Sequence, residues 1–594
     1  MTENLDRLRR LMKRFRLQAY LVPSADPHQS EYVPACWKRR QFLTGFTGSA
    51  GDAVVTLEAA GLWTDSRYYL QAERELAGSG FELFRLGLPG VPSWREWLSN
   101  ALEPGQTLGF DPRLLSIRDH ADLAKLFGDR GLRLKPVEPN LVDEIWRERP
   151  SPPSGKIILH QKKYTGETVA SKLDRLRKKM AEERADAHIL TQLDAVAWLF
   201  NIRGSDVMFN PVIIAYAIVT RKTASLFIDR KKVPPSVESA LGKDAHLRPY
   251  KDFQGQLLAM GKRGRRVWLD DATASRWVAG SLRGAKLILK PSPLPLFKAC
   301  KNTTEIEGSR RAHLRDGAAM VKFLSWLEKA VPCEGVTELS AAGKLEELRS
   351  RQPLYRGLSF ETISSYGAHG AIIHYAVKPE TDIPLRPGGL YIIDSGSQYA
   401  DATTDITRTV CLGEPTAEQR DRSTRVLKGV IALSTVSFPQ GTAGPQLDIL
   451  ARKTIWDAGL NYGHGTGHGI GAFLSVHEGP QSIAPARGFG IALEPGMILS
   501  IEPGFYKDGE YGLRTENLAL VIKDEKRSTN TLVFLTFETL TRCPIDLSLV
   551  EKELLTPGEL AWLNDYHRKV REALTPLLDG EAREWLLRAT LPDA

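Results

Sequence analysis

Cysteine is scarce in this chain. The five that occur (Cys36, Cys300, Cys333, Cys411, Cys543) are odd in number, widely spaced, and form no Cys-x-x-Cys pair. That pattern speaks against a disulfide framework or a thiolate zinc site and points to a reducing compartment. Long apolar runs are missing as well: none approaches the roughly 20 residues that cross a bilayer. The amino terminus lacks the apolar core of a signal peptide. Leu5, Leu8, Leu11 and Phe15 recur there at helical spacing between Arg and Lys, which predicts a surface helix, and Glu3 and Asp6 count against a transit peptide. The expectation is a cytoplasmic protein with no membrane partner. Long basic runs are absent too. The 80 Lys and Arg against 71 Asp and Glu give a net charge of +9. Yet the longest basic runs, such as Lys38-Arg39-Arg40 and Arg230-Lys231-Lys232, are short and lie among acids. A solvated surface is expected, with no nucleic-acid partner. There is no low-complexity tract.

What remains is an ordinary globular composition, 42% hydrophobic and 25% charged, over 594 residues, too many for one core. The first 300 or so residues repeat once. Ala19-Tyr20-Leu21-Val22, then Phe42-Leu43-Thr44-Gly45-Phe46, Ala53-Val54-Val55-Thr56 and Gly61-Leu62-Trp63-Thr64 run in the same order as a second set. That set is Ala187-His188-Ile189-Leu190, Trp198-Leu199-Phe200, Ala215-Tyr216-Ala217-Ile218-Val219 and Leu226-Phe227-Ile228-Asp229. Helical stretches flank both, so two similar α/β domains are predicted. Proline-rich segments mark the boundaries: Arg149-Pro150-Ser151-Pro152-Pro153 and Lys290-Pro291-Ser292-Pro293-Leu294-Pro295. The predicted divisions are residues 1–150, 155–295, 298–540 and 541–594. The third opens on a long helix carrying Ala312, Ala319, Phe323 and Leu327. The last carries helical spacing at Leu560, Leu563, Val570, Leu574 and Leu577 and is expected to pack as an appendage.

The chemistry concentrates between Leu390 and Asn517. Leu390-Tyr391-Ile392-Ile393 reads as a buried strand ending at Asp394, and Thr403 to Thr409, rich in β-branched residues, reads as its return strand carrying Asp405. Met497 to Ile501 is a second strand, ending at Glu502. Asp508-Gly509 is a hairpin signal, and the strand after it carries Glu516. Glu502 and Glu516 are equidistant from Gly509, as cross-strand neighbours must be. Four buried carboxylates are costly unless cations or protons neutralise them. They suit two divalent ions that activate water at neutral pH, and an added imidazole shifts preference toward Mn, Co or Zn. Five of the twelve histidines lie between His369 and His477. His464 and His468 sit among glycines that let a ligand or backbone approach closely. They lack the intervening Glu of a helical zinc pair, so one as ligand and one facing substrate is the better division. His374 follows an apolar run, and His477 precedes a turn.

These words resemble those of the creatinase/prolidase/methionine-aminopeptidase family of pita-bread metallopeptidases, and within it the long, three-domain, cytosolic Xaa-Pro aminopeptidases. The matching segments are Gly370-Ala371-Ile372-Ile373-His374-Tyr375, Asp394-Ser395-Gly396 and Thr403 to Thr409. To these add His464 to Gly469, Val476-His477-Glu478-Gly479-Pro480 and Glu502-Pro503-Gly504. Further matches lie at Pro23 to Tyr32, Trp63 to Tyr68 and Ala197 to Asp206, so the resemblance covers essentially the whole chain. It implies an α/β (α+β) fold: two creatinase-type amino-terminal domains, a pita-bread catalytic domain and a short helical extension. It implies two metal ions, Mn²⁺ in the family's usual complement, with Co²⁺ or Zn²⁺ as alternatives. Asp394 would hold one ion, Asp405 and Glu516 would bridge, and His468 and Glu502 would hold the other.

The implied reaction is release of the residue before a penultimate proline by metal-activated hydroxide. Glu502 would shuttle the proton, and His374 and His477 would steady the carbonyl and the tetrahedral intermediate. His464 and Arg514 would brace the proline side, with His468 and Glu502 also lining the substrate. Arg67 would limit peptide access. The implied partners are peptides with penultimate proline and a second copy in a homodimer. Prolidase uses the same five ligands on dipeptides; the two preceding domains favour the aminopeptidase. A ligand-losing binding module disagrees with the retention of all five. One departure stands out: the family's Gly-Pro-Asn-Gly is here Gly367-Ala368-His369-Gly370. His369 is expected to be a solvated loop residue, and its effect to fall on subsite preference.

Overall fold

The computed structural model describes residues 2–485 and 490–591. The chain divides into two compact units, Met1–His160 with Glu167–Leu294, and Gln161–Gly166 with Pro295–Ala594.

The first unit holds two six-stranded sheets. One is built from β1 (Ala19–Val22), β2 (Asp52–Thr56), β3 (Ala60–Thr64), β4 (Glu82–Arg85), β5 (Thr107–Phe110) and β6 (Arg133–Pro136). The other is built from β7 (Ala187–Leu190), β8 (Ala215–Thr220), β9 (Ala224–Ile228), β10 (His246–Pro249), β11 (Arg266–Leu269) and β12 (Lys286–Leu289). The strand orders, β4-β3-β2-β1-β5-β6 and β10-β9-β8-β7-β11-β12, are the same topology twice. In each, the first three strands are antiparallel neighbours and the outer connections are parallel. The repeat read from the sequence is therefore a structural repeat. Within this unit the two sheets are tied by Ile117 N–H to the Ala274 carbonyl and by Arg118 to Asp271.

The second unit opens on α1 (Thr303–Ala330), whose first turn is fixed by Asn302 and Glu305 capping each other's backbone. Its buried face includes Ala312, Ala319, Phe323 and Leu327, the positions the sequence spacing named. α2 (Glu338–Ser350) follows. The sheet that carries the aspartates orders β13 (Ile363–Tyr366), β14 (Leu390–Ser395) and β15 (Ile406–Cys411), all antiparallel. After α3 (Ala417–Thr435) and α4 (Gly444–Trp456) come β16 (Ile498–Ile501), β17 (Gly504–Lys507), β18 (Tyr511–Arg514), β19 (Asn517–Lys523) and β20 (Phe534–Thr539). β16, β19 and β20 share a sheet, and β17 and β18 form a ribbon between them in sequence.

The carboxy-terminal helices are α5 (Pro557–Leu574) and α6 (Gly580–Thr590). Helical periodicity predicted Leu577 on the buried face. The helix instead stops at Leu574, because Pro576 cannot donate to it, and Leu577 is exposed while Leu578 packs inward. Leu563, Val570 and Leu574 share one core with Ala318 and Val321 of α1 and Leu427 and Ile431 of α3. The helices are part of the body of this unit. Among the described residues no helix is long and apolar enough to cross a membrane.

Candidate metal centre

The four carboxylates arrive on two hairpins. β14 and β15 pair so that Asp394 faces Thr407 and Ser395 faces Ile406, which leaves Asp405 one residue beyond the ladder, diagonal to Asp394. The strand predicted over 403–409 is interrupted at Thr404-Asp405, and this break releases the Asp405 carboxylate from the ladder's alternation. On the second hairpin Ile501 faces Asn517 and Gly504 faces Arg514. That single register sets Glu502 opposite Glu516, as the spacing about Gly509 required. Gly509 itself sits at φ +73°, a conformation open to glycine, and closes the three-residue turn.

Asp394, Asp405 and Glu516 are buried, and the Glu502 side chain is 17% exposed. One ligand atom each from Asp405, His468 and Glu516 lie within 4.8 Å of one another. His468 Nε2 stands 3.5 Å from Asp405 Oδ2 and 3.3 Å from Glu502 Oε1. The imidazole is held by its backbone: His468 N–H donates to Ser500 Oγ at 2.9 Å, and Ser500 Oγ donates to Glu502 Oε1 at 3.1 Å. Gly467 explains the glycines around His468. A Cβ there would lie 1.9 Å from the Ser500 carbonyl oxygen, so only glycine lets this segment lie against β16.

The electrostatics ask for cations. Burial, then Glu516, Asp394 and Glu502, push the Asp405 carboxyl well above its ordinary range. Burial, then Glu502 and Asp394, do the same to Glu516. Glu502 rises to about 7, mainly through burial, with Arg514 and His477 opposing and Asp394 adding to the rise. Arg514 is a buried cation among them: Nη2 donates to Asp394 Oδ2 at 2.6 Å, Nη1 to Tyr506 Oη at 2.6 Å, and Nε to Thr407 Oγ1 at 3.2 Å. Thr407 in turn donates to Glu516 Oε2 at 2.8 Å. That leaves Asp394 Oδ1 and Glu516 Oε1 buried with no hydrogen-bond donor among the described residues. Orphaned carboxylate oxygens beside an imidazole, in a site carrying more negative than positive charge, fit hard divalent ions of the Mn, Co or Zn type.

The other predicted residues take these places. His477 packs edge-on against His468 with ring centroids 4.3 Å apart. His464 Nε2 meets Tyr506 Oη at 2.9 Å, so His464, Tyr506, Arg514 and Asp394 form one hydrogen-bonded chain. His374 is half-buried and follows Ile373, whose carbonyl accepts from Arg514 Nη1 at 3.4 Å. Arg67 belongs to the first unit, where it forms a two-bond pair with Asp65.

His369 departs from its expectation. It is only partly exposed and is tied inward: its Nδ1 lies 3.0 Å from both oxygens of Glu338, which is fully buried, and its ring stacks on Tyr375 at 4.4 Å. Sequence reading missed Glu338, Tyr506 and Arg408. Arg408 is buried and donates to the Glu516 carbonyl (2.6 Å), Asn517 Oδ1 (2.9 Å), the Cys543 carbonyl (2.9 Å) and Tyr566 Oη (2.9 Å). Its signal was its place in Thr407-Arg408-Thr409, a charge on a strand otherwise buried.

Comparison with known proteins agrees along the whole chain. Family profiles match in four consecutive segments: Creatinase/Prolidase N-terminal domain over residues 4–146 and again over 148–305, Metallopeptidase family M24 over 307–523, and the C-terminal region of peptidase M24 over 533–592. A probable Xaa-Pro aminopeptidase P of Coprinopsis cinerea is 42% identical over 100% of this chain and 98% of its own. One of Aspergillus flavus is 40% identical over 100% and 92%. The crystal structure of X-prolyl aminopeptidase from Caenorhabditis elegans, described as a cytosolic enzyme with a di-nuclear active site, superposes with a TM-score of 0.96 at 36% identity, over 100% of this chain and 99% of that one.

Proposed function

Because the chain belongs to the Xaa-Pro aminopeptidase P group of metallopeptidase family M24, we propose that it is a metal-dependent aminopeptidase that releases the first residue from peptides whose second residue is proline. The observation that carries this reading is the convergence of Asp394, Asp405, Glu502 and Glu516 with His468 on two hairpins. Two divalent ions fit the donor set. Asp394 would hold one, Asp405 and Glu516 would be shared, and His468 with Glu502 would hold the other. The proximity of His468 to Asp405 and Glu502 supports that division. Bound there, the ions supply water made acidic enough to ionise near neutral pH and Lewis-acid polarisation of the scissile carbonyl.

The protein's own groups do the rest. The Glu502 carboxylate is assigned to take up a proton at the attacking water and later to return it to the prolyl nitrogen. His374 and His477 are assigned to the substrate carbonyl oxygen and the tetrahedral intermediate as hydrogen-bond donors. His464 and Arg514, joined through Tyr506, brace the proline side, with His468 beside them. Arg67 is assigned to limiting peptide access. An Xaa-Pro bond is a tertiary amide with no N–H and a fixed proline φ, so the site must position it by shape and by contacts to its carbonyl. The oxygen-rich ligand set favours Mn²⁺ over Co²⁺ or Zn²⁺. A cytoplasmic homodimer completes the reading, and analytical ultracentrifugation tests the dimer.

The deciding assay uses metal-stripped protein with Arg-Pro-Pro and with Arg-Pro, with and without Mn²⁺. Mn²⁺-dependent release of Arg from the tripeptide, with the dipeptide cut poorly, is the expected result. Cleavage of the dipeptide alone would make the protein a prolidase, and cleavage of neither would overturn both assignments.

A further inference from the structure

The loop that delivers His374 is anchored on a buried carboxylate outside the metal centre. Glu338 opens α2, where Thr337 caps the helix and the helix dipole favours a negative side chain. Its carboxylate gathers three donors from one stretch of chain. Tyr366 N–H donates to Oε1 at 2.7 Å, before the loop. His369 Nδ1 sits 3.0 Å from both oxygens, in the middle of it. Tyr375 Oη donates to Oε2 at 3.1 Å, immediately after His374. Both acceptors of the His369 contact are carboxylate oxygens, so Nδ1 carries the hydrogen. The stack of the His369 ring on Tyr375 adds a second constraint on the same residue. On its other side, His374 is preceded by Ile373, whose carbonyl accepts from Arg514. The chain is thus held on both flanks of His374, by the metal centre on one side and by Glu338 on the other.

We infer that His369 is a positioning residue for the reaction: its Nδ1–H bond to Glu338 fixes the backbone that aims His374 at the substrate. This rests on the reading of His374 given above. An asparagine at this position would carry an amide N–H where histidine carries Nδ1, so His369→Asn preserves a donor to Glu338.

The test compares His369→Phe, which keeps a ring and loses the donor, with His369→Asn, which keeps the donor. In Mn²⁺-loaded enzyme on Arg-Pro-Pro, His369→Phe should lower kcat about tenfold with KM within about twofold. His369→Asn should retain kcat within about threefold. In a His374→Ala background, His369→Phe should change kcat by less than about twofold, because the group it positions is gone. Hydrogen exchange by mass spectrometry over residues 366–375 should speed up in His369→Phe and stay native-like in His369→Asn. Wild-type kcat in His369→Phe, equal losses in both variants, the full tenfold loss persisting without His374, or unchanged exchange would each overturn the inference. If the wild type fails on Arg-Pro-Pro, the proposed activity falls, and the exchange measurement still decides whether His369 holds the loop. Glu338→Gln, which keeps shape and removes charge, should reproduce the His369→Phe result.

Discussion

At the scale of single residues, the metal centre is a site of stored repulsion, and that has a sign in pH. The Glu502 carboxyl has its ordinary value of 4.5 lifted to about 7, chiefly by burial. The folded state therefore binds this proton more tightly than the unfolded chain does. Its contribution to stability is full below about pH 4.5 and is lost as pH rises through about 7. Metal-free wild type should lose more stability between those limits than Glu502→Gln does. Urea unfolding at a series of pH values measures the difference, and parallel curves for the two proteins would refute it. Mn²⁺ should flatten the wild-type curve, since the ions replace protons as the neutralising charge. Arg514→Lys keeps a charge but loses the fork that joins Asp394 to Tyr506 and Thr407. It should cost about a hundredfold in kcat/KM at unchanged metal content, because a single ammonium cannot reproduce the four fixed contacts of the guanidinium. The five ligand candidates were legible in the sequence because Asp394 and Glu502 each end a short apolar strand, Asp405 and Glu516 lie on the return strands of the same two hairpins, and His468 stands among glycines. Tyr506 and Glu338 were not, because their partners His464 and His369 lie 42 and 31 residues away along the chain. Nothing local distinguishes a networked tyrosine or glutamate from a surface one.

At the scale of elements, the second hairpin followed from arithmetic. A symmetric placement about Asp508-Gly509 allows one register, and the Gly504–Arg514 and Ile501–Asn517 pairs obey it. The first hairpin was less transparent, because Thr404-Asp405 breaks its return strand and no propensity marks such a break. In the first unit, β1 to β3 and β7 to β9 were legible as apolar runs buried along nearly their whole length. The parallel strands β4, β6, β10 and β12 were not: they are four residues each, with no residue fully buried, too short for a period to show. The approach of the His468 segment to β16 yields a further prediction. Gly467→Ala places a Cβ on the Ser500 carbonyl, which can yield only by parting the two segments. That moves His468 away from Glu502 and breaks its N–H bond to Ser500. Bound Mn²⁺ should fall from about two ions per chain toward one or none, and activity with it, while the far-ultraviolet circular dichroism remains native. Two tightly held ions in the variant, measured by elemental analysis after gel filtration, would show that the contact relaxes elsewhere.

At the scale of the whole second unit, the carboxy-terminal helices reach the metal centre through one buried arginine. Arg408 donates on one side to the carbonyl of Glu516 and on the other to Tyr566 Oη of α5, while Tyr566 donates to the Cys543 carbonyl at 2.8 Å. A guanidinium buried to this degree is tolerable only while its donors are all engaged. Removing one acceptor therefore loosens the others, including the one that sets the height of Glu516 on its strand. Periodicity alone suggested an appendage here, since spacing reports which face of a helix is apolar and not which polar group lies beneath it. Tyr566→Phe tests the connection from a position in a different element, 50 residues downstream of Glu516 in the sequence. It keeps the ring that packs in the shared core and deletes only the hydroxyl, so the global loss should be about 1–2 kcal/mol, read as a shift in the urea midpoint. The informative quantity is metal affinity. If Arg408 transmits the change, the variant should bind Mn²⁺ several-fold more weakly in isothermal titration, by an amount that corresponds to roughly 1 kcal/mol. If the helices only cover the core, stability should fall by the same amount with metal affinity unchanged.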